Sequence, residues 1–309
     1  MARVADSSLE TLWFGDDDPN HSDTAAANSL AAAAARAADL RPFPAVAQRV
    51  MSLLSREDVD MKAVRTVIEN DTGLAARLMR IANSPIYGCV VAANSLEQAI
   101  FRLGITEVQS VVAGIATLGM FRDAKGVGVR FRDHCAGVAA IARTIASLCN
   151  RRDVIDLFLC GLMHDIGKLL SMQVSEIDYR SMDRQLLRQP DAMHLVEREQ
   201  SGYDHASLGA HVLKLWNLPD DVAHVVGCHH MPAAAYSHGG KLATTVALIR
   251  LADAIEMRLQ HDSDADSVFI HELAATRECT YLDISRYQIK NLWPSLVEAG
   301  EAVVSAHFG

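Results

Sequence analysis

Apolar residues along this chain recur every three to four positions and almost nowhere every second one. Val46, Val50, Leu53 and Leu54 fall on one face of a helix; Val64, Val67 and Ile68 repeat the pattern, and Leu74, Leu78 and Ile81 extend it. A chain patterned this way hides its apolar stripes by packing helix on helix, so the expected fold class is all-α. Composition points the same way. Half of the 309 residues are hydrophobic but only 6% are aromatic, and Ala, Leu and Val fill most apolar positions. Runs of β-branched and aromatic residues at period two, which sheets need, are scarce.

Helix breakers divide the pattern into segments. Residues 1–24 contain Asp16-Asp17-Asp18-Pro19-Asn20 and read as a lead-in. An alanine-rich helix is expected over 25–39. Arg41-Pro42-Phe43-Pro44 ends it, and Pro44 suits the first turn of the next helix. Asn83-Ser84-Pro85 stops a third helix, and Ser95-Leu96-Glu97-Gln98 has the form of a capping box opening another. Gly104 then separates that helix from an apolar one running to about Met120. Residues 122–132, with Lys125-Gly126-Val127-Gly128, read as a hinge. Beyond it, helices are expected near 132–149, 154–169, 203–216, 219–230 and 241–260. The stretch 171–200 is less regular, and the tail from 269 reads as short helices. The expected organisation is therefore an N-terminal extension over 1–40, a helical lobe over 41–121, a second helical lobe over 122–260 and a helical tail over 261–309.

The formal net charge of −9 argues against a general nucleic-acid-binding surface. The charge is uneven: residues 41–152 carry 15 Lys and Arg against 9 Asp and Glu, whereas 153–309 carry 12 against 22. Such asymmetry suits an anionic ligand or a protein partner, although ordinary solvated helix faces produce it too. Cys89, Cys135, Cys149, Cys160, Cys228 and Cys279 show no CxxC spacing and read as buried free thiols of a reducing compartment. No signal-peptide pattern opens the sequence, and its most apolar run, Val111 to Phe121, is too short to span a bilayer. A cytoplasmic location without membrane association is expected.

The string Gly161-Leu162-Met163-His164-Asp165-Ile166-Gly167-Lys168 is the most specific in the chain. On one continuous helix His164 and Asp165 would diverge by about 100°, yet both can border a cavity closed by other helices. Imidazole and carboxylate are ligands for Zn, Fe, Mn or Ni ions. Lys168, one turn beyond His164, can face the same cavity and meet a phosphate. His134, His205, the pair His229-His230 and Asp253 fall on or at the ends of other expected helices, beside apolar neighbours. Each also has an ordinary structural reading, Asp253 as a partner of Arg250 for example. His194 and the other histidines in polar settings are assigned nothing, and His211 and His224 lie outside the pattern. His271-Glu272-Leu273-Ala274-Ala275 begins like a zinc-protease helix but has Thr276 where the second His belongs. No GxSxG, P-loop or GxGxxG is present.

Taken in order, His134, His164-Asp165, His205, His229-His230 and Asp253 resemble the HD superfamily of metal-dependent phosphohydrolases. More closely, residues 40–260 resemble the HDOD family of bacterial signalling proteins. Arg41-Pro42-Phe43-Pro44-Ala45-Val46-Ala47-Gln48-Arg49-Val50 matches that family's opening. Asn70-Asp71-Thr72-Gly73-Leu74, Ile81-Ala82-Asn83-Ser84, Asn94-Ser95-Leu96-Glu97-Gln98-Ala99-Ile100, Asp204-His205-Ala206-Ser207-Leu208-Gly209, Trp216-Asn217-Leu218-Pro219 and Cys228-His229-His230 match later blocks.

The resemblance implies a two-lobed helical HDOD/HD-like fold and a regulatory protein with signalling partners. It makes His134, His164, Asp165 and Asp253 candidate ligands of one divalent ion. In the related HD-GYP phosphodiesterases, residues placed like His205, His229 and His230 help to hold a second. The GYP-bearing loop itself is absent after His230, where the chain runs Met231-Pro232-Ala233-Ala234-Ala235-Tyr236, which argues against cyclic di-GMP hydrolysis. Two further readings stay open: a phosphohydrolase acting on a nucleotide or phosphodiester through Asp165 and Lys168, and a sensor that binds a nucleotide without cleaving it. The sequence leaves the oligomeric state open, since the 25–39 helix can pack on the body or on a second chain.

Overall fold

The computed structural model describes residues 24–54, 56, 58–83, 91–120, 127–175, 177, 179, 190–260 and 266–308. Among them there is no strand. The helices are α1 (Thr24–Leu40), α2 (Ala45–Leu54), α3 (Met61–Glu69), α4 (Thr72–Ala82), α5 (Leu96–Met120), α6 (Val127–Leu148), α7 (Leu157–Met163), α8 (Ile166–Val174), α9 (Pro190–Ser201), α10 (His205–Leu215), α11 (Asp220–Cys228), α12 (Pro232–His238), α13 (Gly240–Leu259), α14 (Ser267–Ala274), α15 (Arg277–Tyr281) and α16 (Arg286–Phe308).

Side-chain caps explain where many of these begin. Asp60, Asp71, Asp156, Asp204 and Asp266 each accept a hydrogen bond from a backbone N–H in the first turn of the helix that follows. Ser95 does the same for α5 through Gln98 N–H at 3.2 Å, while the Gln98 side chain reaches back to the N–H of Asn94 at 2.8 Å. At the end of α10, Asn217 adopts φ 58°, a left-handed stop that Asn tolerates.

One cluster of buried side chains runs from Leu30 in α1 through Val50, Ile68, Leu78 and Val111 to Val138, Leu208, Val246 and Leu296. Both halves of the chain thus contribute to a continuous core. The alanine-rich α1 lies on the body against α8 and α10, burying Leu30, Ala33, Ala34 and Ala37. Phe43, in the proline-flanked link, stacks on Trp216 with ring centroids 5.5 Å apart. In the second half, α6 packs against α7, α13 and α16, and α10 against α8 and α11. These contacts gather the ends of α7, α10 and α11 and the flanks of α6 and α13 around one point.

Some expectations need adjusting. The stretch Leu96–Thr117 is long and apolar enough to cross a bilayer by length and composition, more than the Val111–Phe121 run suggests. In the structure that helix bends at Gly104, where φ is 74°, and buries Val108, Val111, Val112 and Ala113 in the core. Residues 127–132 of the expected hinge are the first turns of α6, and 122–126 lie outside the described residues, as does Cys89. The tail is short-helical in α14 and α15, but α16 runs for 23 residues despite Pro294, with Ile289, Trp293 and Leu296 buried. The largest change concerns 154–169. It is two helices, α7 and α8, broken at His164-Asp165.

Candidate metal centre

The break has a local cause. His164 ends α7, and its ring Nδ1 donates to the carbonyl of Gly161 at 2.8 Å. That carbonyl is the one the next backbone N–H would take if the helix continued. Asp165 then adopts φ −103° and ψ 9°, outside the helical range, and α8 leaves in a new direction. Adjacent residues that a straight helix would splay apart are thereby brought to one centre. His229 repeats the device at the end of α11, donating from Nδ1 to the carbonyl of Val226 at 2.6 Å. In both residues the anchored Nδ1–H leaves Nε2 as the lone-pair nitrogen.

Two close helix approaches complete the scaffold. A Cβ on Gly161 would lie 2.5 Å from Ala139 Cα, and one on Gly167 would lie 1.8 Å from the carbonyl oxygen of His205. Only glycine lets α7 touch α6 and lets α8 touch α10 there. The second contact sets His205 beside Asp165.

Six of the seven candidate ligands fall into two groups of donor atoms here, and the seventh, Asp253, reaches the centre through His134. Asp165 is central. Its Oδ2 lies 3.6 Å from His164 Nε2 and 3.7 Å from His134 Nε2, and its Oδ1 lies 3.1 Å from His205 Nε2 and 3.9 Å from His229 Nε2. Asp253, on α13, lies 3.1 Å from His134 Nε2 through Oδ1. His230 brings its Nε2 to 3.0 Å from that of His205. Two groups of donor atoms result, Asp165 with His205, His229 and His230, and Asp165 with His134 and His164; within each, the atoms lie within 4.8 Å of one another. Asp165 belongs to both.

Lys168 does face the centre, but its Nζ is 2.5 Å from Asp165 Oδ2 and sits over the Phe131 ring. Arg250 is not the partner of Asp253; it binds Glu278 and the carbonyl of His229. Three residues given no role in the sequence reading also belong here. Glu256 accepts from His134 Nδ1, Glu197 accepts from His205 Nδ1 at 2.6 Å, and His194 stacks on His230 with centroids 5.0 Å apart. Glu256 was findable, three residues after Asp253 on the same helix face. Glu197 and His194 lie in the stretch read as irregular, with no periodic signal to flag them.

The electrostatics follow from burial. The side chains of His164, Asp165, His205 and His229 are all at most 2% exposed. Burial holds His164 below the usual histidine range, and burial with neighbouring histidines holds His229 and His230 well below it. Burial opposes the charge on Asp165, yet Lys168, His164 and His205 outweigh it and keep the carboxyl well below its ordinary range. Asp253 is likewise lowered to about 2, where His134 overcomes the burial penalty. For His134 and His205 burial opposes protonation, but Glu256 and Glu197 respectively turn the balance upward.

These residues fit a divalent ion. Among the described residues His164 Nε2 and His229 Nε2, both buried acceptors, have no hydrogen-bond partner, and such groups are costly unless something binds them. Both stand at helix C-termini, where the helix dipole favours positive charge. Two nitrogens bound tetrahedrally to one ion at about 2.1 Å stand about 3.4 Å apart, close to the 3.0 Å between the His205 and His230 nitrogens. A His/Asp cluster able to bind metal is therefore present.

Other proteins share this architecture. An HDOD domain protein of unknown function from Geobacter sulfurreducens superposes with a TM-score of 0.68 at 22% identity, covering 91% of this chain and 99% of its own. A protein from Shewanella amazonensis SB2B, provisionally named a metal-dependent phosphohydrolase, gives 0.62 at 20% identity, covering 91% and 98%. One from Marinobacter aquaeolei VT8, provisionally named a signal transduction protein, gives 0.59 at 20%, covering 91% and 64%. The chain spans less than half the length of the curated relatives it matches. Residues 40–232 match the HDOD domain, and on that match, with the fold and the motif blocks in agreement, the chain belongs to the HDOD family.

Proposed function

We propose that this chain is a bacterial signal-transduction regulator of the HDOD type, working in the cytoplasm, whose HD-like half holds two divalent ions of the Fe, Mn, Ni or Zn class. The observation that carries the metal reading is the pair of partnerless buried nitrogens, His164 Nε2 and His229 Nε2, converging on the two oxygens of one carboxylate. His134, His164, Asp165 and Asp253 would hold one ion; His205, His229 and His230, with Asp165 between, the other. Regulation is favoured over turnover because the centre is deeply buried and Lys168 is engaged by Asp165 instead of facing outward. Occupancy would set the arrangement of the helix ends and so the surface offered to a signalling protein or nucleotide.

A second reading, a metal-dependent phosphohydrolase, is favoured by the position of Asp165 in both donor groups. When bound, divalent ions polarise a phosphoryl oxygen and bring the pKa of a coordinated water to about 7. Asp165 would then fix the donor geometry, and Lys168 would move to neutralise phosphate charge. Incubating the metallated protein with linear and cyclic nucleotides in the presence of Mn, Fe or Ni separates the two. The regulatory reading expects no turnover, together with a set of captured bacterial proteins that changes with metal occupancy. Hydrolysis of any one nucleotide, abolished by Asp165→Ala, would replace it with the enzyme reading.

A further inference from the structure

The imidazoles of the centre are anchored in two different ways. His164 and His229 lean on carbonyls of their own helices, whereas His134 and His205 lean on glutamates from other elements. Building on the metal reading above, we propose that Glu256 and Glu197 are positioning residues, one for each half of the centre. Each holds the Nδ1–H of its histidine so that Nε2 faces the ion.

Glu197 is 0% exposed, and three donors satisfy it. Its Oε2 accepts from the backbone N–H of His205 at 2.8 Å and from the ring Nδ1 at 2.6 Å, and its Oε1 accepts from the Tyr179 hydroxyl at 2.6 Å. A buried carboxylate is tolerated only with such partners. Both ends of His205, backbone and ring, are thereby gripped by one group, which leaves Nε2 pointing at Asp165 Oδ1 and at His230.

Glu256 is built into the other half in a comparable way. It binds His134 Nδ1, and the Gln260 amide holds its two oxygens at 2.9 and 3.0 Å. Space is kept for it by Gly137, one turn along α6 from His134, where a Cβ would meet Glu256 Cγ at 2.7 Å. A carboxylate on the far nitrogen fixes the tautomer, orients the ring and strengthens the ligating nitrogen as a donor. Asp165 divides the centre between its two oxygens, so Glu256 governs the half on Oδ2 and Glu197 the half on Oδ1.

The test is calorimetric titration of Mn²⁺ or Zn²⁺ into chelator-treated, full-length wild type, Glu197→Gln and Glu256→Gln, each shown to be folded by circular dichroism. Alongside it, ¹⁵N-resolved NMR of the imidazole nitrogens reads each ring separately. Glu197→Gln is expected to weaken the ion at His205 by about 10–100-fold and to spare the ion at His134; Glu256→Gln should do the reverse. In the ring spectra, the Nδ1–H of His205 should shift in the first variant and that of His134 in the second. Wild-type affinity in both variants, or weakening of the same ion by both, would overturn the proposal. Should Glu197→Gln not fold, Tyr179→Phe removes one donor from Glu197 and is expected to weaken the same ion by a smaller factor; no change would count against the role. A wild type that takes up no ion refutes the metal reading instead, and the ring spectra still decide whether each glutamate holds its histidine.

Discussion

His164 and His229 stand at matching places, the caps that follow the last residues of α7 and α11, with Nδ1 bonded back to the carbonyl three residues earlier. Asp204 works at the same scale from the other side of the centre. Its carboxylate accepts from Ser207 N–H at 2.7 Å, and it pairs with Arg198 at 2.8 Å just before His205 begins α10. Burial opposes its charge, but Arg198, His205 and Ser207 outweigh burial and lower its pKa. The unfolded carboxyl titrates near about 3.9. The stabilisation is therefore complete above that value and is lost as pH falls through the lower folded pKa. Asp204→Ala should cost about 1–2 kcal/mol in urea unfolding at pH 7, the usual cost of a lost cap. The gap from wild type should narrow in unfolding curves taken progressively below about pH 4; a gap independent of pH would contradict this account of the cap.

At the scale of helices, the centre depends on two backbone approaches more than on any single ligand. Gly167→Ala would drive a methyl into the His205 carbonyl, 1.8 Å from the ideal Cβ. It should destabilise the fold by about 1–3 kcal/mol, the range for overpacking, and lower metal uptake by moving His205 away from Asp165. Thermal unfolding and metal content of the variant check both effects. Uptake equal to wild type would mean that the α8–α10 contact does not set the site.

This scale also shows what a one-dimensional reading can see. Helical periodicity reports which face of a segment is buried, so α2, α3, α4 and α13 were legible, as were the candidate ligands carried by motif order. The break at His164-Asp165 was not, because apolar spacing continues across it and the cause is a side chain bonding to its own backbone. Glu197 escaped for a different reason: it acts through a contact eight residues away in sequence, in a stretch without periodicity, and a buried glutamate carries no mark of burial in the sequence.

Across the whole molecule, one core links α1–α5 to the helices that carry the centre, so binding at the centre should stabilise the entire fold. An ion that binds only the folded chain adds about 2.7 kcal/mol when present at 100 times its Kd. Addition of metal should therefore raise the Tm of the chelator-treated wild type and leave Asp165→Ala unmoved; equal shifts in both, read by scanning calorimetry, would place the ion elsewhere. The most direct test of the account is elemental analysis of the purified full-length protein beside Asp165→Ala. Because Asp165 belongs to both donor groups, transition metal should be bound stoichiometrically in the wild type and lost from the variant. Equal metal content in the two proteins, or none in the wild type, would contradict it.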